Sequence, residues 1–230
     1  MDVGRIHDQT VVTVFRVNIK AMKFYTTVVN IIVLGRTADK KTFYQQAIDI
    51  KHLIAAFNVR ECLIDTNGLG IGLGEEMTRT QIDDFGQVMP AYGFFNDAEF
   101  KKVQPKDAPQ ILYSMKASGT LKSKIHGNTY SRLNSGMVRF LIKESEAKSA
   151  LLSTKKGQKM TVEQRVKRLM PHEMTTKLFE EMANVRLKRT GAGLDIILEP
   201  INTRFPDDKY WSFSYGLWRI KELEEESFSK

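Results

Sequence analysis

A single cysteine, Cys62, stands in the whole chain. That excludes a disulfide within it and any zinc site built from several cysteines, and it fits a reducing compartment. The apolar run around Cys62 makes it a small core residue. No stretch of about 18 apolar residues occurs, so no membrane span is expected. The opening Met1-Asp2-Val3-Gly4-Arg5 lacks the apolar segment of a signal peptide. Histidines are few, and His7, His52, His126 and His172 have no zinc-protease spacing. There is no Gly-x-Ser-x-Gly elbow, and Cys62 has no obvious histidine partner, so nucleophilic hydrolysis is a poor fit. Gly68, Gly70, Gly72 and Gly74 look like a nucleotide loop, but no Gly-Lys-Ser/Thr follows them. A Walker A loop, and with it ATPase activity, is not expected. Internal repeats and low-complexity segments are also missing.

Acidic residues are scarce in one window. From Lys116 to Arg168 there are 13 Lys and Arg, three Glu and no Asp, a surplus of ten. The whole chain carries only +8, with pI ≈ 9.4, so the remainder is close to neutral. A concentrated basic face points to a polyanion, either nucleic acid or an anionic membrane; the alternative is a solvated surface. At 230 residues, 42% apolar and 27% charged, the chain reads as one large globular domain or a domain with an added lobe.

The β-branched run over 9–18 and the more apolar run over 23–35 predict two strands with a short connection, hence an antiparallel pair. Phe43, Ala47, Ile50, Ile54 and Phe57 follow helical spacing, with Tyr44 and Ile48 widening the stripe. A strand ending at Asp65 comes next, then a helix over about 72–84 and a strand over 88–94. Asn96 or Asp97 is placed to cap a short helix. This β-β-α-β-α-β order gives an α/β layout with helices against a mixed sheet. Beyond it, strands are expected at 111–113, 138–142 and 194–198, and helices at 121–133, 161–169 and 173–188, the last two broken near Pro171. Residues 154–159 read as a mobile basic loop, and Asp208 opens a final helix to about Leu223. Trp211 and Trp218, seven apart on that helix, share one face and suit core packing.

The chemistry concentrates at Glu61-Cys62-Leu63-Ile64-Asp65-Thr66-Asn67-Gly68-Leu69-Gly70. A buried strand there stops on a carboxylate and turns through glycine into a helix. Ligands of open α/β sheets bind off the carboxyl ends of strands. Asp2 and Asp208 also stand beside a strand end or helix start, though each alone also fits a turn or a cap. Gathered together, three carboxylates repel one another unless a cation joins them. Hard oxygen donors suit Mg²⁺ or Mn²⁺, and two such ions about 3.5–4 Å apart cleave phosphodiesters. In a basic protein, an Asp cluster makes sense as a metal site facing phosphate. His7, between Asp2 and Asp8, is a further candidate for that site.

Three blocks resemble the nuclease domain of the large terminase subunit of tailed bacteriophages. They are Asp2-Val3-Gly4-Arg5-Ile6-His7-Asp8-Gln9-Thr10-Val11-Val12, Ile64-Asp65-Thr66-Asn67-Gly68-Leu69-Gly70-Ile71-Gly72-Leu73, and Asp208-Lys209-Tyr210 leading into Tyr215-Gly216-Leu217. The resemblance spans nearly the whole chain and implies an α/β, ribonuclease H-like fold with a central mixed β-sheet flanked by helices. It implies a single nuclease domain over 1–230, with its core about 1–115 and 190–225 and a helical, basic insertion about 116–190. The resemblance implies that the family's N-terminal ATPase domain and most of its first strand would be absent from this stretch. The implied activity is metal-dependent endonucleolytic cutting of concatemeric viral double-stranded DNA during packaging, in the cytoplasm of the infected bacterium, with two Mg²⁺ or Mn²⁺ ions. Asp2, Asp65 and Asp208 would be the catalytic metal ligands, Asp8 an accessory acid, and Asp207 the alternate to Asp208. Lys122, Lys124, Arg132, Lys155, Lys156 and Lys159 are candidates for flanking DNA phosphates. Implied partners are double-stranded DNA, the ATPase domain of the same parent polypeptide, the small terminase subunit and the portal, with no membrane. Two alternatives stay open: another ribonuclease H-like nuclease of junction-resolvase or recombinase type, and a non-catalytic DNA-binding module of the packaging machinery.

Overall fold

The computed structural model describes residues 1–4, 9–34, 41–189, 196–202 and 204–228. His7 and Asp8 lie outside them. The chain is mixed α/β and divides into two compact units, Met1–Val12 with Val33–Ser118 and Thr13–Ile32 with Gly119–Lys230. The strands β1 (Thr10–Lys20) and β2 (Lys23–Leu34) each pass from one unit to the other. Among the described residues no helix is long and apolar enough to cross a membrane.

The first unit is built on three parallel strands in the order β3 (Cys62–Asp65), β7 (Gln110–Met115), β6 (Gly93–Phe94). The amino-terminal residues extend this array. Met1 N donates to Leu63 O at 3.0 Å and Asp65 N donates to Met1 O at 3.2 Å, a parallel pattern. On its other side Asp2 exchanges two backbone hydrogen bonds with Val11 of β1, antiparallel. Helix α1 (Phe43–Phe57) starts on a capping box in which Thr42 and Gln45 satisfy each other's backbone N–H. It buries Ala47, Ile50 and Ile54 of the expected stripe. Lys51 is buried beside them, its Nζ donating to Gln81 Oε1 at 2.8 Å and to the Arg79 carbonyl. Burial pulls its pKa down to about 8. Helix α2 (Gly70–Met77) packs on α1, and α3 (Ala98–Val103) stacks Phe100 on Phe94.

Two expectations for this unit change. The helix over 72–84 ends at Met77, because Gln81–Ile82 (β4) pairs antiparallel with Val88–Met89 (β5). The turn between them is closed by Asp83, whose Oδ1 accepts from Phe85 N and Gln87 N. The single strand over 88–94 is two short ones, β5 and β6, separated at Pro90, which has no N–H to give a ladder.

In the second unit, β8 (Val138–Arg139) pairs parallel with β2, and the sheet order is β1-β2-β8. The turn from β1 to β2 is only Ala21-Met22, both left-handed at φ 49° and 56°, the backbone of a tight hairpin. The helices are α4 (Gly119–Asn134), α5 (Glu144–Leu152), α6 (Lys155–Gln158), α7 (Val162–Ala183) and α8 (Asp208–Phe228). A hairpin of β9 (Val185–Arg189) and β10 (Ile196–Pro200) lies between the last two. Phe15, Phe213, Phe140 and Phe179 form a chain of ring contacts, beside fully buried Ile125, Leu178 and Leu217.

Here too the structure departs from expectation. The basic stretch 154–159 contains a helical turn, α6, capped by the Thr154 hydroxyl. Pro171 does not break the helix: α7 runs through it, with the Thr175 hydroxyl donating to the Pro171 carbonyl at 2.8 Å. The expected helix to 188 stops at Ala183, and a strand takes over because Val185–Arg189 finds a partner in β10.

Candidate active site

Three parallel strands bring their carboxyl ends to one edge of the first unit: β3 at Asp65, β7 at Met115 and β6 just before Asn96 and Asp97. The residues that follow are tied to one another by side chains. Asn96 prolongs the ladder in place of backbone, its Nδ2 donating to Ser114 O and its Oδ1 accepting from Ser114 N, both at 2.8 Å. Thr66 N donates to Met115 O, and the Thr66 and Ser114 hydroxyls share a 2.6 Å hydrogen bond. Asn67 Nδ2 donates to Ala117 O at 3.1 Å. The Asp-Thr-Asn motif therefore has divided labour: Thr66 and Asn67 fasten the strand end to β7, and Asp65 is left facing the edge.

Asp65 is 8% exposed. Its one hydrogen bond among the described residues is Oδ1 accepting from Asn67 N at 3.0 Å, which leaves Oδ2 unspent. Asp2 stands beside it. The hydrogen bonds of Met1 set Met1 opposite Ile64, so Asp2 falls opposite Asp65 on the neighbouring backbone, about 4.8 Å away by ordinary strand spacing. Burial lowers the pKa of the Met1 amino group, while the Cys62, Asp2 and Asp65 charges act to raise it. Cys62 itself is inert at neutral pH, since burial pushes its thiol up to about 11.

The strand joint needs its glycines. Gly68 is left-handed at φ +53°. Gly70 opens α2 so close to the strand end that a Cβ there would lie 1.8 Å from the Asp65 carbonyl oxygen.

Asp207 and Asp208 belong to the second unit. Asp208 is the first residue of α8 and 9% exposed. Asp207, just before it, accepts from the Trp211 indole N–H at 2.9 Å. The first turn of α8 is held by Glu181 of α7, which accepts from Lys209 Nζ at 2.7 Å and from Tyr210 N at 2.9 Å. Burial raises the Glu181 pKa, and Lys209 works against the rise. Tyr210, pushed up to about 12 by burial, hydrogen-bonds His126 Nδ1.

The basic candidates divide by environment. Lys124, Lys155, Lys156 and Lys159 are exposed, and the last three line a recess of ≈ 680 Å³ together with Lys167 and Arg168. Lys122 lies 4.8 Å from the Trp211 ring centroid. Arg132 is buried, its guanidinium engaged by Glu224 and by the Phe24 carbonyl, and so works as an internal tie. Among the described residues, no group of three His, Cys, Asp or Glu is gathered to hold a metal ion. The first unit gathers two acids, Asp2 and Asp65.

Sequence reasoning missed Ser114 and Lys116 at this edge and saw Asp97 only as a cap. Asp97 does cap α3, its Oδ1 accepting from Glu99 N at 3.0 Å. Its Oδ2 takes Ser114 Oγ at 2.8 Å and Lys116 Nζ at 2.9 Å. An acid one to three residues past a parallel strand was the available signal.

No family model matches the chain, and no curated protein matches it. Among solved structures it is similar to the crystal structure of the large terminase nuclease from thermophilic phage G20c with bound cobalt. The sequence identity is 12% and the TM-score 0.48, over 92% of this chain and 85% of that chain.

Proposed function

We propose that this chain is a divalent-metal-dependent DNA endonuclease of the terminase large-subunit kind, with a ribonuclease H-like sheet, cutting concatemeric viral double-stranded DNA during packaging. The observation that carries the reading is Asp65: a nearly buried carboxylate at the carboxyl edge of a parallel sheet, one oxygen unspent, with Asp2 on the adjoining backbone. The second Asp65 oxygen has no protein partner among the described residues, so it is open to a ligand. Two carboxylates at strand spacing favour that partner being a cation. The donors are all hard oxygens, which fits Mg²⁺ or Mn²⁺ and does not fit a thiolate-seeking metal.

In this reading Asp2, Asp65 and Asp208 would hold the metal, with Asp8 accessory and Asp207 the alternate to Asp208. Two ions bound there would supply a water of lowered pKa and charge stabilisation for the departing oxygen. The Asn67 N–H keeps one Asp65 oxygen oriented, so that the other presents a lone pair at a fixed place. Thr66 and Asn67 hold the strand end against β7, which limits the drift of that carboxylate. Exposed Lys124, Lys155, Lys156 and Lys159, with Lys122, bind flanking phosphates and give steep salt dependence with little sequence readout. The ATPase domain, small subunit and portal are the partners of such a nuclease.

The test is plasmid cutting in Mn²⁺. Asp65→Asn and Asp208→Asn each remove cutting while DNA binding in a shift assay survives. Cutting by Asp65→Asn at the parent rate overturns the assignment, and a parent chain that binds plasmid but never nicks it marks a binding module instead. Preference for four-way junctions over linear duplex would move the assignment to a resolvase.

A further inference from the structure

Lys116 is the next residue after Met115, which sits in register with Asp65 on the neighbouring strand. Lys116 reaches the same Asp97 oxygen as Ser114, so the chain sets a cation at the carboxyl end of β7, one strand from Asp65 and on the other face of the sheet. Its ammonium is held in place. Asp97 Oδ2 lies 2.9 Å from Lys116 Nζ, and the Asp97 carboxylate is itself fixed by Ser114 Oγ and by Glu99 N. The two partners differ sharply in exposure: the Asp97 side chain is 8% exposed and the Lys116 side chain 57%. One end of the pair is anchored in protein and the other faces solvent.

Neutralising Asp97 is not enough to explain this lysine. The carboxylate already accepts from a hydroxyl and a backbone amide, and an ammonium has three donors of which Asp97 engages one. A lysine stem normally loses rotamer freedom when it captures a ligand. Here part of that loss is already met by the anchor. A duplex lying across the carboxyl ends of these strands meets Asp2 and Asp65 on one face and this anchored charge on the other, which offsets part of the acids' repulsion.

We propose that Lys116, held by Asp97, is a phosphate-binding residue that seats the DNA backbone at the Asp65 edge. It rests on the nuclease reading above and adds a substrate contact in the first unit, outside the lysines of the second. As a point charge, the lysine neutralises one phosphate without reading a base.

The experiment measures affinity for a short blunt duplex over a potassium chloride series, in an Asp65→Ala background so that nothing is cut. Each phosphate contact contributes about 0.9 to the slope of log K against log salt on duplex DNA. Lys116→Ala is expected to lower the slope by about 0.9, equally for unrelated sequences, and Lys116→Arg to restore it. Lys102→Ala is the control, since it removes an exposed charge from nearby α3 that pairs with Glu99; its slope stays at the background value. Lys116→Gln removes the charge and keeps a hydrogen-bond donor for Asp97, so it gives the same reading should the alanine variant not fold. An unchanged slope for Lys116→Gln or Lys116→Ala overturns the proposal, as does an equal fall in Lys102→Ala. Failure of the nuclease reading is seen separately, as plasmid cutting by Asp65→Ala in Mn²⁺ or as no cutting by the parent chain.

Discussion

Glu181 and Lys209 are 1% and 4% exposed and face each other across 2.7 Å, so each charge is tolerable only because of the other. Removing one partner of a buried pair leaves the other stranded, at about 3–5 kcal/mol. Lys209→Met is therefore expected to lose about that much stability at neutral pH, read by denaturant unfolding. The pH sign follows from Glu181. Burial raises its folded-state pKa above the unfolded one, so the folded state binds the proton more tightly. That contribution is present below the unfolded value and is lost as pH rises through the folded value. Without Lys209 the rise is larger, so the variant regains stability on acidification, and Glu181→Met in the same chain restores most of it at neutral pH. A Lys209→Met loss that does not shrink toward acid would show that the carboxyl finds another cation. At this scale, legibility depended on neighbours in sequence. The strand end at Asp65 was readable because an apolar run, a carboxylate and glycines are contiguous. Apart from the Asp97 cap, the partners of Arg132, Glu181 and Asp97 lie 17 to 108 residues away, so nothing local marked those side chains as internal ties or anchors.

The joint between β3 and α2 shows how an element boundary shapes a site. The helix begins against the strand end itself, so the residue at 70 has no room for a side chain: its Cβ would meet the Asp65 carbonyl oxygen and, at 3.7 Å, Val3. Gly70→Ala is expected to cost about 1–3 kcal/mol through overpacking and to reduce Mn²⁺-dependent cutting more than it reduces DNA binding. Gly136, left-handed but with open space around it, is the control for a glycine lost elsewhere. An unaltered cutting rate in a Gly70→Ala protein that has lost stability would separate the joint from the chemistry. The glycine cluster was legible as a strand-to-helix turn, and so was α1, whose stripe repeats at helical period. The elements that escaped were those decided by partners. β4 and β5 are only two residues each and exist through their mutual pairing. β9 is helical by local pattern and a strand because β10 lies beside it. Pro171 marked a break that tertiary packing of Met174 and Leu178 in α7 overrides.

Neither unit is a continuous piece of chain. The second takes Thr13–Ile32 from the amino-terminal region and joins it to everything after Ser118. A 20-residue hairpin thus belongs with helices some 200 positions later, a pairing that periodicity and composition cannot reveal. The outline that the resemblance implies, a core of about 1–115 and 190–225 with a basic insertion at about 116–190, does not indicate where β1 and β2 go, although the charge changes character near the Ser118 boundary. The hairpin is not an ornament of this unit. Phe24, Val28 and Ile31 are buried, and Phe15 packs on Phe213. Phe24 N donates to Glu224 and its carbonyl accepts from Arg132. Thr26 N donates to Met137 O, and the Thr13 hydroxyl lies 2.9 Å from that of Ser212. At about 1.5–3 kcal/mol for each buried apolar side chain, three of them approach the whole stability of an ordinary domain, about 5–15 kcal/mol. Gly119–Lys230 produced alone is therefore expected to keep helical far-UV circular dichroism yet lose near-UV signal and amide protection along α4 and α8. Arg132 is then left with its backbone acceptor gone. Fusing Thr13–Ile32 to that fragment through a flexible linker restores protection. Amides of α4 and α8 exchanging as slowly in the bare fragment as in the full chain would show that the hairpin contributes packing the unit does not need.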